Sequence, residues 1–248
     1  MSQLALAVEA GLSQKHLSFL ETGRSSPRQP TVISLATALT LTLTETNVFL
    51  RSAGFANAAS AKSLKASEMA AVKEAVEHLL RQQNPYPGVL VTGSQDLLAT
   101  NQSFDKLIQL TPDGEKIWQK TCGTGPRNLM RMALHKDGLF ELMVAPHLLV
   151  PAYIDRIERE SSGDQAAFAL LEECRSWPHI KDLLPGPPGT QTDLPLVPET
   201  YAIGGVPLSF LCMIASVGAP TDATTEALRV ELFFPNDPAT EAFLKRKR

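Results

Sequence analysis

A chain of 248 residues, 44% hydrophobic and 20% charged, has ample apolar mass for one large or two modest cores and excludes a disordered chain. The net charge of −3 gives no overall basic signature, but residues 1–65 come to +3 and the remainder to −6, which fits a small DNA-contacting part joined to a larger part that does not touch DNA. Cys122, Cys174 and Cys212 are odd in number and far apart, which argues against a disulfide framework or a metal spacing and predicts a reducing cytoplasm.

In chain order, Gln3 to Ala10 reads as a short helix with Leu4, Ala7 and Val8 on one stripe. Glu9 and the lack of a basic run argue against a signal peptide. Gly11-Leu12 is a tight turn with an apolar plug. Ser13 then serves as N-cap of a second helix and Gly23 as its left-handed stop. Leu17 and Leu20 share the core face, while Gln14, Lys15, Ser18 and Phe19 fall on the other side. Helix, glycine turn and helix make the helix-turn-helix pattern, whose second helix enters the DNA major groove.

The run SQLALAVEAGLSQKHLSFLETGRSSP resembles the core of the lambda-repressor-like, XRE-type helix-turn-helix domain, with S-x-x-x-L-S-x-L-E-x-G-x-x-x-P matched from Ser13 to Pro27. The resemblance implies a DNA-contact set of Gln3, Ser13, Gln14, Lys15, Ser18, Phe19, Arg24 and Arg28. Gln14, Lys15 and Ser18 are expected on base edges or adjacent phosphates, and Gln3, Arg24 and Arg28 on phosphates. Phe19 either touches a thymine methyl or packs against the neighbouring helix. Such domains usually begin one helix earlier, with an Arg there facing the Glu in the position of Glu21. The expectation is therefore a head truncated by a misassigned start, with Leu4, Val8, Leu17 and Leu20 partly exposed. The competing expectation is a head that no longer binds DNA.

Pro30 opens a third helix, to about Leu39, with Val32, Leu35, Ala36 and Leu39 at helical spacing, and Thr44 caps a fourth that ends at Gly54. Residues 56–66 are small and polar and read as a linker between a head at 1–55 and a second domain at 67–248. A helix from Ser67 carries Met69, Val72, Val76, Leu79 and Leu80. Pro85-Tyr86-Pro87 stops it, and Gly88–Val91 pairs through a Gly93-Ser94 turn with Leu97–Ala99. Asn101 opens a helix with Phe104, Leu107, Ile108 and Leu110, an order with which PAS-type sensor folds begin. Residues 111–124 read as irregular, Pro126–Leu134 as a helix broken by the 135–138 turn, and 146–161 and 164–175 as two more helices. Residues 184–193 form a Pro/Gly loop.

Three strands follow, Pro195–Ile203, Leu208–Val217 and Glu226–Phe234, and a short helix near 237–244. The middle strand is apolar on both faces, hence central and covered on both sides, or on one side by a ligand. In the last, Leu228, Val230, Leu232 and Phe234 face in while Arg229 and Glu231 face out. The uncharged run from Thr200 to Thr221 is broken by Gly and Pro and reads as strands, not a membrane span. The basic end of the chain reads as solvated.

The segments NPYPGVLVTGSQDLLATN (84–101), NLMRMALHKDGL (128–139) and GGVPLSFLCMIASVGAPTDATTEALRVELFFPNDPAT (204–240) resemble the ligand-binding domain of MmyB-like transcription regulators. The resemblance implies a PAS-like antiparallel sheet with helices and an apolar cavity for a fatty-acid-like molecule. Met130, Met132, Phe210, Cys212 and Ile214 are the candidate lining, beside the bland reading of each as packed core. Thr100 stands where the family often carries Trp, which implies a different ligand size or identity if that position lines the pocket.

No P-loop, zinc-protease, nucleophile-elbow or C-x-x-C motif is present, and the five histidines are scattered. His135 beside Asp137 reads as a turn cap. The expected fold class is α + α/β: an all-helical head, its first helix missing, joined to a PAS-like sheet domain. The expected function is a non-enzymatic, cytoplasmic, homodimeric regulator that binds double-stranded DNA, needs no metal or cofactor, and takes a fatty acid as effector. The alternatives are a lipid-binding protein with a degenerate head and, more weakly, an enzyme built on the sheet domain.

Overall fold

A computed structural model describes residues 1–55, 70–160, 164–184, 196–217 and 227–246. The chain divides into two compact units, one built on residues 1–55 and the other on the sheet and the helices around it. The linker read at 56–66, the helix start at Ser67, Met69 and residues 185–193 of the Pro/Gly loop lie outside the described residues.

The first unit is held by two chain reversals. Helix α1 (Gln3–Glu9) ends where Gly11 takes φ +67°, a conformation that favours glycine. The Gly11 N–H donates to the Val8 carbonyl at 3.1 Å and the Leu12 N–H to the Ala7 carbonyl at 2.8 Å, which turns Leu12 down onto the core. Helix α2 (Gln14–Glu21) starts with the Ser13 hydroxyl accepting the His16 N–H at 3.1 Å. It ends in the same pattern, with Gly23 at φ +70° and the Arg24 N–H donating to the Phe19 carbonyl at 2.8 Å. Helices α3 (Gln29–Ala38) and α4 (Leu43–Ser52) complete the unit. Ala7, Ala10, Leu17, Leu35 and Ala38 are its core, with Leu6, Leu12, Leu20 and Phe49 packed against it.

Two expectations need correction here. Leu17, expected to lie partly exposed, is buried at 3% in the core, whereas Leu4 and Val8 are exposed as expected, because α1 turns Leu6, Ala7 and Ala10 inward. Thr42, not Thr44, begins α4: its hydroxyl accepts the Glu45 N–H at 3.2 Å while the Glu45 carboxylate accepts the Thr42 N–H at 2.8 Å. This reciprocal pair satisfies two end groups together, which a Thr one turn-position later does not.

The second unit opens with α5 (Ala70–Gln83) and builds an antiparallel sheet from β1 (Gly88–Val91), β2 (Leu97–Thr100), β3 (Glu199–Ile203), β4 (Val206–Ser216) and β5 (Arg229–Pro235). The strand order is β2-β1-β5-β4-β3. Helices α6 (Gln102–Gln109), α7 (Lys116–Cys122), α8 (Leu129–Leu134), α9 (Pro146–Glu160), α10 (Gln165–Ser176) and α11 (Pro178–Lys181) lie between β2 and β3, and α12 (Pro238–Lys245) ends the unit. Buried Asn101 ties the first hairpin to the helices. Its amide oxygen accepts the N–H groups of Gly88 at 3.1 Å and Phe104 at 3.0 Å, and its amide nitrogen donates to the carbonyls of Leu80 at 3.2 Å and Tyr86 at 2.8 Å. Asn128 does the same for α8, capping Arg131 and donating to the Ser94 carbonyl and Asp96.

Both faces of the sheet are covered. Val76 and Leu80 of α5 pack on Leu90, Leu228 and Val230. On the opposite face Val89, Val91, Leu208 and Phe210 join the large core built with α6 to α11. The strand that occupies the centre is therefore β5. Residues 206–210 of β4 pair with β3 on one side, and 210–216 pair with β5 on the other, so the far half of β4 has one neighbour and leaves Met213 and Ile214 exposed. Glu231 does not face out: it is 1% exposed. Alternation is real in β5, but its second face meets the larger core instead of water. Residues 111–124 are not irregular, since α7 buries Ile117, Trp118 and Thr121 there, and α8 begins after Asn128, not at Pro126.

Candidate functional site

In the first unit the polar side chains expected on DNA lie at the start of α1 (Gln3), on the cap and first turns of α2 (Ser13, Gln14, Lys15, Ser18) and in the loop after α2 (Arg24, Arg28). Gln14, Lys15, Arg24 and Arg28 are exposed, Gln3 and Ser18 half-buried. The Gln14 amide donates to the Gln3 carbonyl oxygen at 3.3 Å, and the Gln3 amide donates to Glu21 at 2.6 Å. Gln3 thus bridges the two helices of the motif and holds Gln14 at the start of α2. Phe19 is half-buried with the Lys15 ammonium 5.6 Å above its ring. The Ser13 hydroxyl is engaged as N-cap, which leaves its proton to donate to an approaching phosphate.

In the second unit α8, α9 and the large-core face of the sheet enclose a cavity of about 70 Å³. Its apolar body is made by Phe104, Leu107, Ile108, Leu129, Met130, Met132, Phe210 and Phe233. Of the residues expected to line it, Met130, Met132 and Phe210 do. Cys212 and Ile214 are not part of the wall. Cys212 lies behind it, with its thiol 3.6 Å from the Glu231 carboxylate. Ile214 pairs directly with Glu231 and so shares its face, but sits in the single-sided half of β4 and is 45% exposed. Thr100 is also not in the wall; its hydroxyl donates to Asp105 at 2.7 Å.

The polar end of the cavity was not anticipated from sequence. Tyr153 and Arg156 stand three apart on α9, Glu199 and Tyr201 two apart on β3, and Glu231 two before Phe233 on β5, so each element directs its pair inward. The Arg156 guanidinium donates from both terminal nitrogens to the Glu231 carboxylate, Nη1 to Oε2 at 3.1 Å and Nη2 to Oε1. The hydroxyls of Tyr153 and Tyr201 are 2.6 Å apart, and Tyr153 is also hydrogen-bonded to Glu199. Burial raises the Glu199 carboxyl to about 7 against the pull of the Tyr153 hydrogen bond, with Glu231 adding to the rise and Arg156 opposing it. Burial likewise holds the Tyr153, Tyr201 and Cys212 protons on well above their ordinary values. A Glu-x-Tyr step and a lone Glu in an apolar strand are the sequence signals that could have found this end.

The His135 and Asp137 pair is a local turn: the Asp137 N–H donates to the His135 ring at 3.0 Å. Among the described residues no His/Cys/Asp/Glu group is placed to hold a metal ion, and no helix is long and apolar enough to cross a membrane.

Compared with protein-family models, residues 72–246 match the MmyB-like transcription regulator ligand binding domain. Residues 1–45 match a helix-turn-helix. Comparison with curated protein sequences finds no match.

Proposed function

The chain belongs to the MmyB-like transcription regulators, an XRE-type helix-turn-helix joined to a ligand-binding domain, and we propose that an apolar, fatty-acid-like small molecule in its cavity controls how the head binds an operator. The observation that carries the DNA half is the outward-facing start of α2, where Gln14 and Lys15 are exposed and Gln3 steadies Gln14 from α1. In this reading Gln14, Lys15 and Ser18 meet base edges or nearby phosphates, Phe19 lies over a thymine methyl, and Gln3, Ser13, Arg24 and Arg28 anchor the backbone. Two heads on a two-fold operator call for a homodimer acting in the cytoplasm.

The second domain reads as PAS-like, which the β2-β1-β5-β4-β3 order and the helices over one sheet face support. Its cavity wall is apolar except at the Tyr153–Arg156 end, and Met130 and Met132 lend it adaptable shape. No catalytic step is assigned to it.

Titration of the full chain against DNA from its own promoter, with a scrambled competitor at two salt concentrations, tests the reading. Specific binding that weakens steeply with salt supports it. Equal, weak binding to both DNAs would return the chain to a ligand-binding protein with a head that does not read sequence.

A further inference from the structure

The outer strands of the sheet are partly closed by loops. On β2 the Leu97 N–H donates to the Arg127 carbonyl at 2.7 Å, and on β3 the Thr200 carbonyl accepts the Val144 N–H at 3.0 Å. The far half of β4 has no such cover among the described residues. Residues 211–216 pair with β5 on one side only, and Met213 is 58% exposed and Ile214 45%. The usual guards of an open edge are missing as well: residues 211–217 hold no charge and no proline, and the β4–β5 register runs without a bulge.

The groups on this edge set its register. The Ser209 carbonyl accepts the Asn236 N–H, on the β5 side, at 2.9 Å. Ladder groups alternate sides along a strand, so Leu211, Met213 and Ala215 turn theirs to β5, and Cys212, Ile214 and Ser216 turn theirs outward. An antiparallel second copy of β4 centred on Ile214 sets Cys212 against Ser216 of that copy and Ile214 against its own counterpart, which uses every outward N–H and carbonyl. Leu211 then meets Val217 of the second copy, so Phe210 keeps its pairing with Glu199 of β3.

Charge and shape name the occupant. Residues 66–248 carry −6, so two copies of this domain repel each other except across a neutral surface, and the run from Thr200 to Thr221 is uncharged. In the register above, Met213 lies against Ala215 of the second copy, large on small. Ala215 lines an open apolar groove between α5 and the sheet, with Ala71, Val72, Leu79, Val217 and Leu228. On the homodimer reading above, we propose that two copies of the chain join along this edge of β4, paired antiparallel about a two-fold axis at Ile214, with Met213 of each seated at the other's groove. The two five-stranded sheets then run on as one, with both α5 helices on the same face. Since α5 is the first described helix after the head, this arrangement suits two heads sharing one operator.

Sedimentation velocity of the full chain tests the surface. Met213 of one copy lies diagonally across from Met213 of the other, about 7–8 Å away. The unmodified chain is expected to be a dimer. Met213→Lys and Met213→Glu each place like charges in the join and should each weaken dimerisation by about a hundredfold or more. An equal mixture of the two variants should recover the dimer, because an ammonium then meets a carboxylate; chains that had merely failed to fold would not rescue each other. A dimer that survives in both variants, or a mixture that stays monomeric, overturns this surface and leaves the homodimer reading standing. An unmodified chain that sediments as a monomer overturns both.

Discussion

Arg156 on α9 and Glu231 on β5 form a two-pronged ion pair at the wall of the cavity, with Glu231 at 1% exposure and the Arg156 side chain at 12%. Removing two charges from water is costly, and the pair recovers that cost only while both partners are present. Arg156→Met is therefore expected to destabilise the second unit by about 3–5 kcal/mol, because it strands a buried carboxylate. The double variant Arg156→Met/Glu231→Leu should recover most of the loss. Urea unfolding of the full chain and both variants checks this. A single variant as stable as the parent would mean that the pair is solvated.

Glu199 makes stability depend on pH in a direction opposite to most carboxylates. Its folded-state value of about 7 lies above its ordinary 4.5, so the folded chain holds the proton more tightly than the unfolded one. Its contribution is most favourable below about 4.5 and is lost as pH rises through about 7. Unfolding measured across that window should show Glu199→Gln flattening this component and gaining stability over the parent at the alkaline end. A variant with the parent's pH profile would contradict the assignment.

Asn101 is the tie most exposed to a single substitution. Replacement by Ala strands the Gly88 and Phe104 N–H groups and the Leu80 and Tyr86 carbonyls. With each orphaned buried group costing about 1–3 kcal/mol before relaxation, Asn101→Ala should cost more than about 3 kcal/mol in total. Ser13→Ala, at an exposed N-cap, should cost only about 1 kcal/mol. Denaturation midpoints of the two variants, compared at equal slope, decide it.

On DNA, Gln14→Ala and Arg24→Ala should fail differently. Loss of a base-edge contact costs about 1–3 kcal/mol and relaxes specificity at one position, whereas loss of a phosphate contact weakens all sequences alike and lowers the salt slope by about one. Fluorescence anisotropy on promoter and scrambled duplexes separates the two. Identical profiles would remove Gln14 from the reading set.

The head was legible because its signals are local. Ser13, Gly11 and Gly23 each fix a chain reversal within a few residues, and the hydrogen bonds found are those their chemistry requires. Thr42 was missed in favour of Thr44 because the deciding partner was Glu45, whose carboxylate closes the cap. Asn101 and the β1–β2 hairpin were legible for the same local reason. Helix α7 was not: Glu115 makes no side-chain cap, and seven residues between two glycines carry little periodicity. The cavity's polar end escaped because alternation says which residues share a face, not what covers it. Glu231, Glu199, Tyr201, Tyr153 and Arg156 come from three distant elements, and the pairing that buries them exists only once β5 lies between β1 and β4.

The central claim is that one chain couples a ligand in the cavity to DNA at α2. The measurement that tests it most directly is promoter-DNA affinity of the full chain with and without saturating hexanoate, paired with hexanoate affinity with and without the DNA. Coupling predicts that each shifts the other by the same factor, on the order of 5–150-fold. Hexanoate and DNA that each bind with affinities unchanged by the other would contradict it.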